Sequence, residues 1–133
     1  METTVQSLTE RVRQAHQSKV PLAIHGGNSK SFYGGSPSGE PLDLRSYTGI
    51  IDYEPKELVL TVRAGTPLAE IDAVMAREGQ MLPFEPPRFT EASTIGGTVA
   101  TGLSGPRRPY TGAVRDFVLG TRIVSGNGED LRF

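Results

Sequence analysis

The sequence contains no cysteine among its 133 residues. This absence excludes disulfide scaffolds, zinc sites with cysteine ligands, iron–sulfur clusters and catalysis by a thiol. The two histidines, His16 and His25, leave few nitrogen ligands as well, so we expect no metal site. A chain without cysteine also fits a reducing compartment.

An excess of charge of one sign is missing too: the net charge is −1, from 14 basic and 15 acidic residues. A protein that binds nucleic acid through a broad basic face carries many more cations, so we expect no nucleic-acid partner. No apolar run approaches the roughly 18–20 residues of a membrane span. Residues 1–14 include Glu2 and Glu10 and no apolar stretch, which predicts no secretory signal. The length predicts one domain, residues 1–133.

Glycine and proline are abundant instead, with 16 and 10 residues, and the glycines are clustered. The first cluster, residues 24–30, has the sequence IHGGNSK and follows a short apolar run. Backbone N–H groups in a glycine-rich turn can converge on a phosphate, and Asn28, Ser29 and Lys30 add donors and a positive charge. The segment is neither a Walker A loop nor GxGxxG. Taken alone, it is more typical of an ordinary turn at the end of a strand.

The second cluster, residues 92–102, has the sequence ASTIGGTVATG and almost no charge. Small side chains let a backbone lie flat against a planar or pyrophosphate ligand, although they also let a helix pack tightly on a sheet. The two clusters together predict a ligand long enough to touch both. A dinucleotide fits that requirement better than a single phosphate.

The hydrophobic pattern predicts an α+β fold of small sheets with inserted helices. A first helix carries Val5, Leu8, Val12 and Ala15, and it begins with a capping box over residues 7–10 or one turn earlier at Thr3 or Thr4. A second helix begins at Thr66, as capping hydroxyl, and Pro67, as first helical residue; it buries Leu68, Ile71, Val74 and Met75 and closes at Gly79. A third helix covers residues 94–101. The predicted strands are 21–24, 42–44, the hairpin 50–53 with 58–63, 81–82, and 117–125 with 131–133 across an Asn-Gly turn.

Five segments occur in a fixed order: HGGNSKSFYGG, RAGTPLAEID, PFEPP, ASTIGGTVATGLSG and a final strand ending in VSGNGE. This succession, over about residues 5–133, resembles the FAD-binding domain of the vanillyl-alcohol-oxidase type, also called PCMH-type. Within that family the chain is most similar to the FAD-binding subunits of bacterial glycolate oxidases (glycolate dehydrogenases). The resemblance implies FAD as cofactor. It also implies the N-terminal part of the domain, since Phe133 falls in a strand that family members continue.

The resemblance further implies which residues contact FAD. Backbone amides of the first cluster hold the pyrophosphate, the PFEPP segment lies near the flavin ring, and the second cluster contacts the isoalloxazine ring and the ribityl chain. The SG pair that follows lines the continuing groove. The predicted cofactor-binding residues are His25, Gly26, Gly27, Asn28, Ser29, Lys30, Glu85, Pro86, Pro87, Thr94, Gly96, Gly97, Thr101, Gly102, Ser104 and Gly105. No catalytic residue is assigned.

Some relatives attach FAD covalently through a histidine just after the paired glycines. Asn28 stands at that position, which predicts non-covalent FAD. The resemblance implies an oxidoreductase for glycolate or another 2-hydroxy acid. It also implies other glycolate oxidase subunits as partners, and a cytoplasmic location or attachment to the inner membrane face through those subunits. We expect the chain alone to be inactive. Two alternatives stay open: a non-catalytic fragment that binds FAD or contacts a partner subunit, and a nucleotide-sugar reductase of the same fold.

Overall fold

The computed structural model describes residues 3–133, and it confirms the α+β fold class with its small sheets and inserted helices. Among these residues no helix is long and apolar enough to span a bilayer. In chain order the elements are α1 (Val5–Ser18), β1 (Leu22–His25), β2 (Glu40–Asp43), β3 (Ile50–Glu54), β4 (Val59–Val62), α2 (Leu68–Arg77), α3 (Ile95–Thr101), α4 (Arg108–Thr111), a 3₁₀ turn (Val114–Phe117), β5 (Arg122–Val124) and β6 (Asp130–Arg132).

Helix α1 begins at a capping box formed by Thr4 and Ser7. The Ser7 amide donates to the Thr4 hydroxyl oxygen at 3.1 Å, and the Thr4 amide donates to the Ser7 hydroxyl oxygen at 3.0 Å. The predicted box over residues 7–10 is therefore wrong, and the alternative cap at Thr4 is confirmed. Each hydroxyl oxygen accepts a hydrogen bond from the amide of the other residue, which places Ser7 inside the first turn. The helix buries Leu8 and Ala15.

The six strands form three two-stranded sheets, and one of them is parallel. Strands β1 and β2 run side by side in the same direction, so that His25 at the end of β1 lies opposite Asp43 at the end of β2. The first glycine cluster leaves β1 at this edge. The predicted hairpin is confirmed as the antiparallel pair β3–β4.

Helix α2 supplies the centre of the core, where Leu68, Ile71 and Met75 are buried. The prediction that Thr66 caps this helix is wrong. Pro67 is the N-cap residue, with no side-chain cap hydrogen bond, and the Thr66 hydroxyl is buried and donates to the Arg63 carbonyl oxygen at 2.7 Å. Thr66 thus closes the turn after β4 rather than the helix. Gly79 has a φ of +64°, which confirms the left-handed residue predicted after the helix.

The N-terminal ends of α2 and α3 are tied together by backbone hydrogen bonds. The Leu68 amide donates to the Ser93 carbonyl oxygen at 2.9 Å, and the Ile95 amide donates to the Thr66 carbonyl oxygen at 3.0 Å. The predicted third helix is confirmed as α3, with Thr94 as its N-cap. Because α2 is anchored in the core, these bonds fix where the second glycine cluster lies.

Two strand predictions in the second half of the chain are wrong. Residues 81–82 are irregular, since no described strand pairs with them and Pro83 follows directly. The run over residues 117–125 is divided: the 3₁₀ turn ends at Phe117, and only Arg122–Val124 forms a strand. The Asp116 carboxylate accepts from the Ala113 amide at 2.7 Å, which favours the tight turn over an extended chain. The predicted hairpin across the Asn-Gly turn is confirmed as β5–β6.

Candidate functional site

A groove of about 520 Å³ runs between the first glycine cluster and helix α3. One wall is the end of β1 and the loop that follows it, and the other is the face of α3 that carries Gly97, Ala100 and Thr101. The lining residues are Ala23, Ile24, His25, Gly26, Gly27, Asn28, Ser29, Lys30, Ser31, Tyr33, Gly35, Pro37, Arg45, Thr94, Gly97, Ala100 and Thr101. A volume of this size is usual for a site that holds a small molecule or cofactor.

The two glycine clusters lie against each other at the base of this groove. A Cβ at residue 26 would lie 2.7 Å from the Thr94 hydroxyl oxygen, and a Cβ at residue 27 would overlap the backbone carbonyl of Ala92. The hydroxyl oxygens of Ser29 and Ser93 are 3.1 Å apart and share a hydrogen bond. Glycine is therefore required in the first cluster because the second cluster fills the space of its side chains. This contact confirms that the two clusters fold together.

The small residues of the second cluster have two roles in helix α3: some line the groove and others allow close packing. Gly97 and Thr101 line the groove. Gly96 instead packs against the end of β4, since a Cβ there would lie 2.7 Å from the Ala64 carbonyl oxygen. Gly102 is the left-handed C-cap of the helix, with a φ of +63°. The interpretation as a ligand surface and the interpretation as tight helix packing thus apply to different glycines of the same segment.

Five further predicted residues lie together outside the groove, and we call them the Glu85 cluster. The Gly105 amide donates to the Phe84 carbonyl oxygen at 2.9 Å, and a Cβ at residue 105 would collide with the Glu85 backbone. Ser104 accepts from the Val114 amide through its hydroxyl oxygen at 3.0 Å. Glu85, Pro86, Pro87, Ser104 and Gly105 are thus placed together but are not among the groove-lining residues.

Glu85 itself combines two unusual features. Its φ is +44°, a left-handed conformation that costs energy for a residue with a Cβ. Its Oε1 atom is buried and has no hydrogen-bond partner among the described residues, although Arg107 Nε lies 3.4 Å away. Both features are typical of positions held for function rather than for stability.

An ion pair lies at the strand ends beside the groove. Arg45 donates from Nη2 to Asp43 Oδ2 at 2.6 Å and from Nε to both carboxylate oxygens at 2.9 and 3.0 Å. These hydrogen bonds lower the pKa of the Asp43 carboxyl to about 2. Nδ1 of His25 lies 4.0 Å from the same carboxylate. The parallel pairing of β1 with β2 brings His25 to Asp43, while Arg45 contacts Asp43 from two residues further along the chain.

Several lining residues were not predicted as site residues. Tyr33, in the glycine-rich loop after the first cluster, lies along the groove. Phe32 beside it packs edge to face on Phe89, with ring centroids 4.9 Å apart. Arg45 and Ala23 enter the groove only through the β1–β2 pairing, for which no local sequence signal exists.

The donor set of the groove fits a phosphorylated cofactor. Gly97 leaves space on the groove side of α3, since a Cβ there would come no closer than 3.3 Å to a neighbouring atom, and the Lys30 ammonium beside it has no acceptor within residues 3–133. Over the same residues no three histidine or carboxylate side chains gather as a metal site would require. A second concavity between α1 and the β5–β6 hairpin has its Arg122 engaged by Asp130 at 2.6 Å.

The FAD binding domain family matches residues 2–133. The chain is 56% identical over 128 residues to "Glycolate oxidase subunit GlcE" of Escherichia coli (strain K12), which covers 96% of this chain and 37% of that protein. It is 30% identical over 129 residues to "D-2-hydroxyglutarate dehydrogenase" of Xanthomonas citri pv. viticola, covering 95% of this chain and 27% of that protein. The chain therefore spans roughly a third of the length of these curated relatives.

Solved structures share the fold at low sequence identity. An alkyldihydroxyacetonephosphate synthase superposes with a TM-score of 0.76 at 22% identity, over 96% of this chain and 25% of that one. The grass pollen allergen Phl p 4, with glucose dehydrogenase activity, superposes with a TM-score of 0.79 at 17% identity, over 98% of this chain and 27% of that one. These superpositions confirm the PCMH-type fold, and the match to the FAD binding domain family confirms the cofactor FAD that the motifs imply. The chain belongs to the FAD binding domain family.

Proposed function

We propose that this chain is the FAD-holding part of a flavoenzyme that oxidises a 2-hydroxy acid, with glycolate as the substrate. The observation that carries the proposal is the meeting of two glycine clusters, Gly27 on Ala92 and Gly26 on Thr94, beside a groove with an unpartnered cation. The 56% identity to a glycolate oxidase subunit supports the substrate.

In this proposal the groove residues hold the cofactor in two ways. The backbone amides of residues 26–29 donate to the phosphate oxygens, in a turn that Asn28 supports with a φ of +54°. Thr94, Gly97 and Thr101 provide a small-residue surface on the other side. Gly96 and Gly102 set the position and the end of α3, and so act on the cofactor only through that helix.

The Glu85 cluster is proposed to meet the flavin end of the cofactor. Oε1 of Glu85 lacks a hydrogen-bond partner among the described residues although it forms an ion pair with Arg107, and it would accept a hydrogen bond from a donor of the cofactor or substrate. Pro86, which is buried, and Pro87 stiffen this segment, while Ser104 and Gly105 hold it against the rest of the domain.

Bound FAD supplies the two-electron oxidation of the hydroxy acid to the oxo acid. The tasks of this chain are to bind the cofactor, to orient it and to exclude water from its phosphates. Asn28, in the position of a flavin-linking histidine, supports non-covalent attachment. Since the E. coli relative is named a subunit, we also propose partner subunits for the whole enzyme, with a cytoplasmic location or attachment to the inner membrane face through them.

The test has two stages. The purified chain is titrated with FAD and followed by quenching of flavin fluorescence, and we expect saturable binding with all flavin released on denaturation. Glycolate-dependent dye reduction is then measured for the chain alone and for the chain within the full enzyme with its partner subunits. Activity only in the full enzyme supports the proposal. An absence of flavin from both preparations, or flavin that stays attached after denaturation, would contradict it.

A further inference from the structure

The loop that follows the first glycine cluster, residues 31–39, forms part of the groove wall, and we call it the strap. Every residue of the strap is exposed, yet Tyr33, Gly35 and Pro37 line the groove. The strap therefore has water on one side and the groove on the other. A loop in this position decides how a ligand enters the groove and how it leaves.

The two ends of the strap are fixed to the domain through the backbone. At the first end the Tyr33 amide donates to the Lys30 carbonyl oxygen at 2.9 Å, which ties the strap to the first glycine cluster. At the other end a Cβ at residue 39 would lie 2.4 Å from the Pro21 carbonyl oxygen, and the Glu40 amide donates to that same oxygen at 2.9 Å. Any movement of the strap is thus confined to the residues between these two anchors.

Between the anchors the strap is held weakly. Within the described part of the chain, the bond from the Tyr33 amide is the only backbone hydrogen bond that residues 31–39 make. Gly34 has a φ of +96°, and a Cβ at residue 34 or residue 35 would meet no atom within 4 Å. No packing contact requires these two glycines, so their effect is to leave the backbone free to change its conformation.

One ring contact joins the strap to the segment that leads into the second glycine cluster. Phe32 packs on Phe89 edge to face, with the ring planes at 82° to each other. Phe32 is 66% exposed and Phe89 is 49% exposed, so the contact buries little apolar surface. Such a contact can break and re-form while the core stays folded. We call this contact the latch.

We propose that the strap is a flap that opens to admit FAD and closes over it, and that the latch between Phe32 and Phe89 holds the closed form. The inference rests on the proposed function, because it needs FAD in this groove. In the closed form Tyr33 and Pro37 contact the bound cofactor, so FAD favours closure and the latch slows its release. The structure has the latch formed and therefore describes the closed arrangement.

The first test measures the rates of FAD binding and release by stopped-flow flavin fluorescence. Phe32→Ala removes the latch. Phe133→Ala is the matched control, because Phe133 is exposed and has no ring partner within residues 3–133. We expect Phe32→Ala to release FAD about 2- to 10-fold faster, the factor that corresponds to the loss of one aromatic pair. Phe89→Ala should have the same effect, the double variant should add nothing to it, and the thermal midpoint of the flavin-free protein should change little.

The second test asks whether the strap has to move. Since the chain has no cysteine, Phe32→Cys with Phe89→Cys introduces the only two thiols, and oxidation joins them reversibly. A cross-link made before FAD is added should slow FAD association at least about tenfold, and a cross-link made afterwards should slow release by a similar factor. Reduction should restore both rates. Each single cysteine variant, treated with the same oxidant, is the control.

The outcomes separate the parts of the inference. Equal release rates for Phe32→Ala and Phe133→Ala would overturn the role of the latch, and unchanged FAD association in the cross-linked protein would overturn the flap. Failure of the two cysteines to cross-link would contradict the contact between strap and Phe89. If the unaltered protein does not bind FAD, the proposed function fails and this inference fails with it.

Discussion

The backbone of Gly27 lies directly against the carbonyl group of Ala92, so that a side chain on residue 27 has no room. This contact joins the end of β1 to the segment that leads into α3. It holds the two glycine clusters at the distance that the groove between them requires.

The substitution Gly27→Ala should therefore damage both the fold and the site. Because the added methyl overlaps backbone rather than a flexible side chain, one of the two segments must move, at a cost of about 1–3 kcal/mol in the free energy of unfolding. We expect a lower urea midpoint and FAD affinity reduced by at least about tenfold, since cofactor donors lose their alignment. Gly126→Ala is the matched control, because a Cβ at residue 126 meets no atom within 4 Å. A Gly27→Ala protein as stable as the control would show that the contact is not tight.

Thr94 links the cap of α3 to the same contact. Its hydroxyl oxygen accepts from the Gly97 amide at 3.2 Å, and it also limits the space at Gly26. Removal of the cap in Thr94→Ala should lower the free energy of unfolding by about 1 kcal/mol. Thr94→Ser keeps the hydroxyl and should lose much less. Thermal unfolding of both variants checks the prediction, and equal losses would assign the effect to the methyl group instead of the cap.

Thr66 should be more sensitive than its loop position suggests. Its buried hydroxyl donates to the Arg63 carbonyl oxygen at 2.7 Å and accepts from the Gly49 amide at 2.9 Å. Thr66→Val keeps the shape but leaves both backbone groups without this partner, so we expect a loss of about 1–3 kcal/mol in the free energy of unfolding. Thr66→Ser retains the hydroxyl and serves as the control. Urea unfolding of the two variants should differ in midpoint; if their midpoints coincide, the hydrogen bonds contribute nothing.

The Asp43–Arg45 pair predicts an acid-dependent part of the stability. Arg45 lowers the pKa of the Asp43 carboxyl to about 2 in the folded protein, from a usual value near 3.8. Since the folded-state pKa is the lower one, the stabilisation is fully present above about pH 4 and is lost as the pH falls towards 2. The carboxylate is 35% exposed, so screening by water keeps the contribution below about 1 kcal/mol.

Urea midpoints measured between pH 5 and 2 test this dependence. The midpoint of the unaltered protein should fall more steeply over that window than the midpoint of Asp43→Asn. Asp52→Asn, which changes an exposed aspartate in β3, should follow the unaltered protein. Parallel curves for the unaltered protein and Asp43→Asn would remove the pair as a source of acid sensitivity.

Local sequence patterns were sufficient for the elements that short-range forces determine. The three helices of the first hundred residues and the two hairpins were predicted because apolar spacing, Gly79 and the Asn-Gly turn act within a few residues. One prediction failed because a distant partner competes for the same group. The Thr66 hydroxyl has the form of a helix cap in the sequence, but Gly49 and Arg63 engage it in the fold.

The sequence by itself implied the cofactor class, because the two glycine clusters occur with the other three motifs in the fixed order that resembles an FAD-binding domain. Only the tertiary structure decided how each glycine is used: Gly27 packs against Ala92, Gly96 packs against Ala64, and Gly97 lines the groove. Only the parallel pairing of β1 with β2 brought His25 to Asp43, whereas Arg45 reaches Asp43 from two residues further along the chain. The sequence around a glycine does not reveal which residues will pack against it, because those residues belong to segments far away in the sequence.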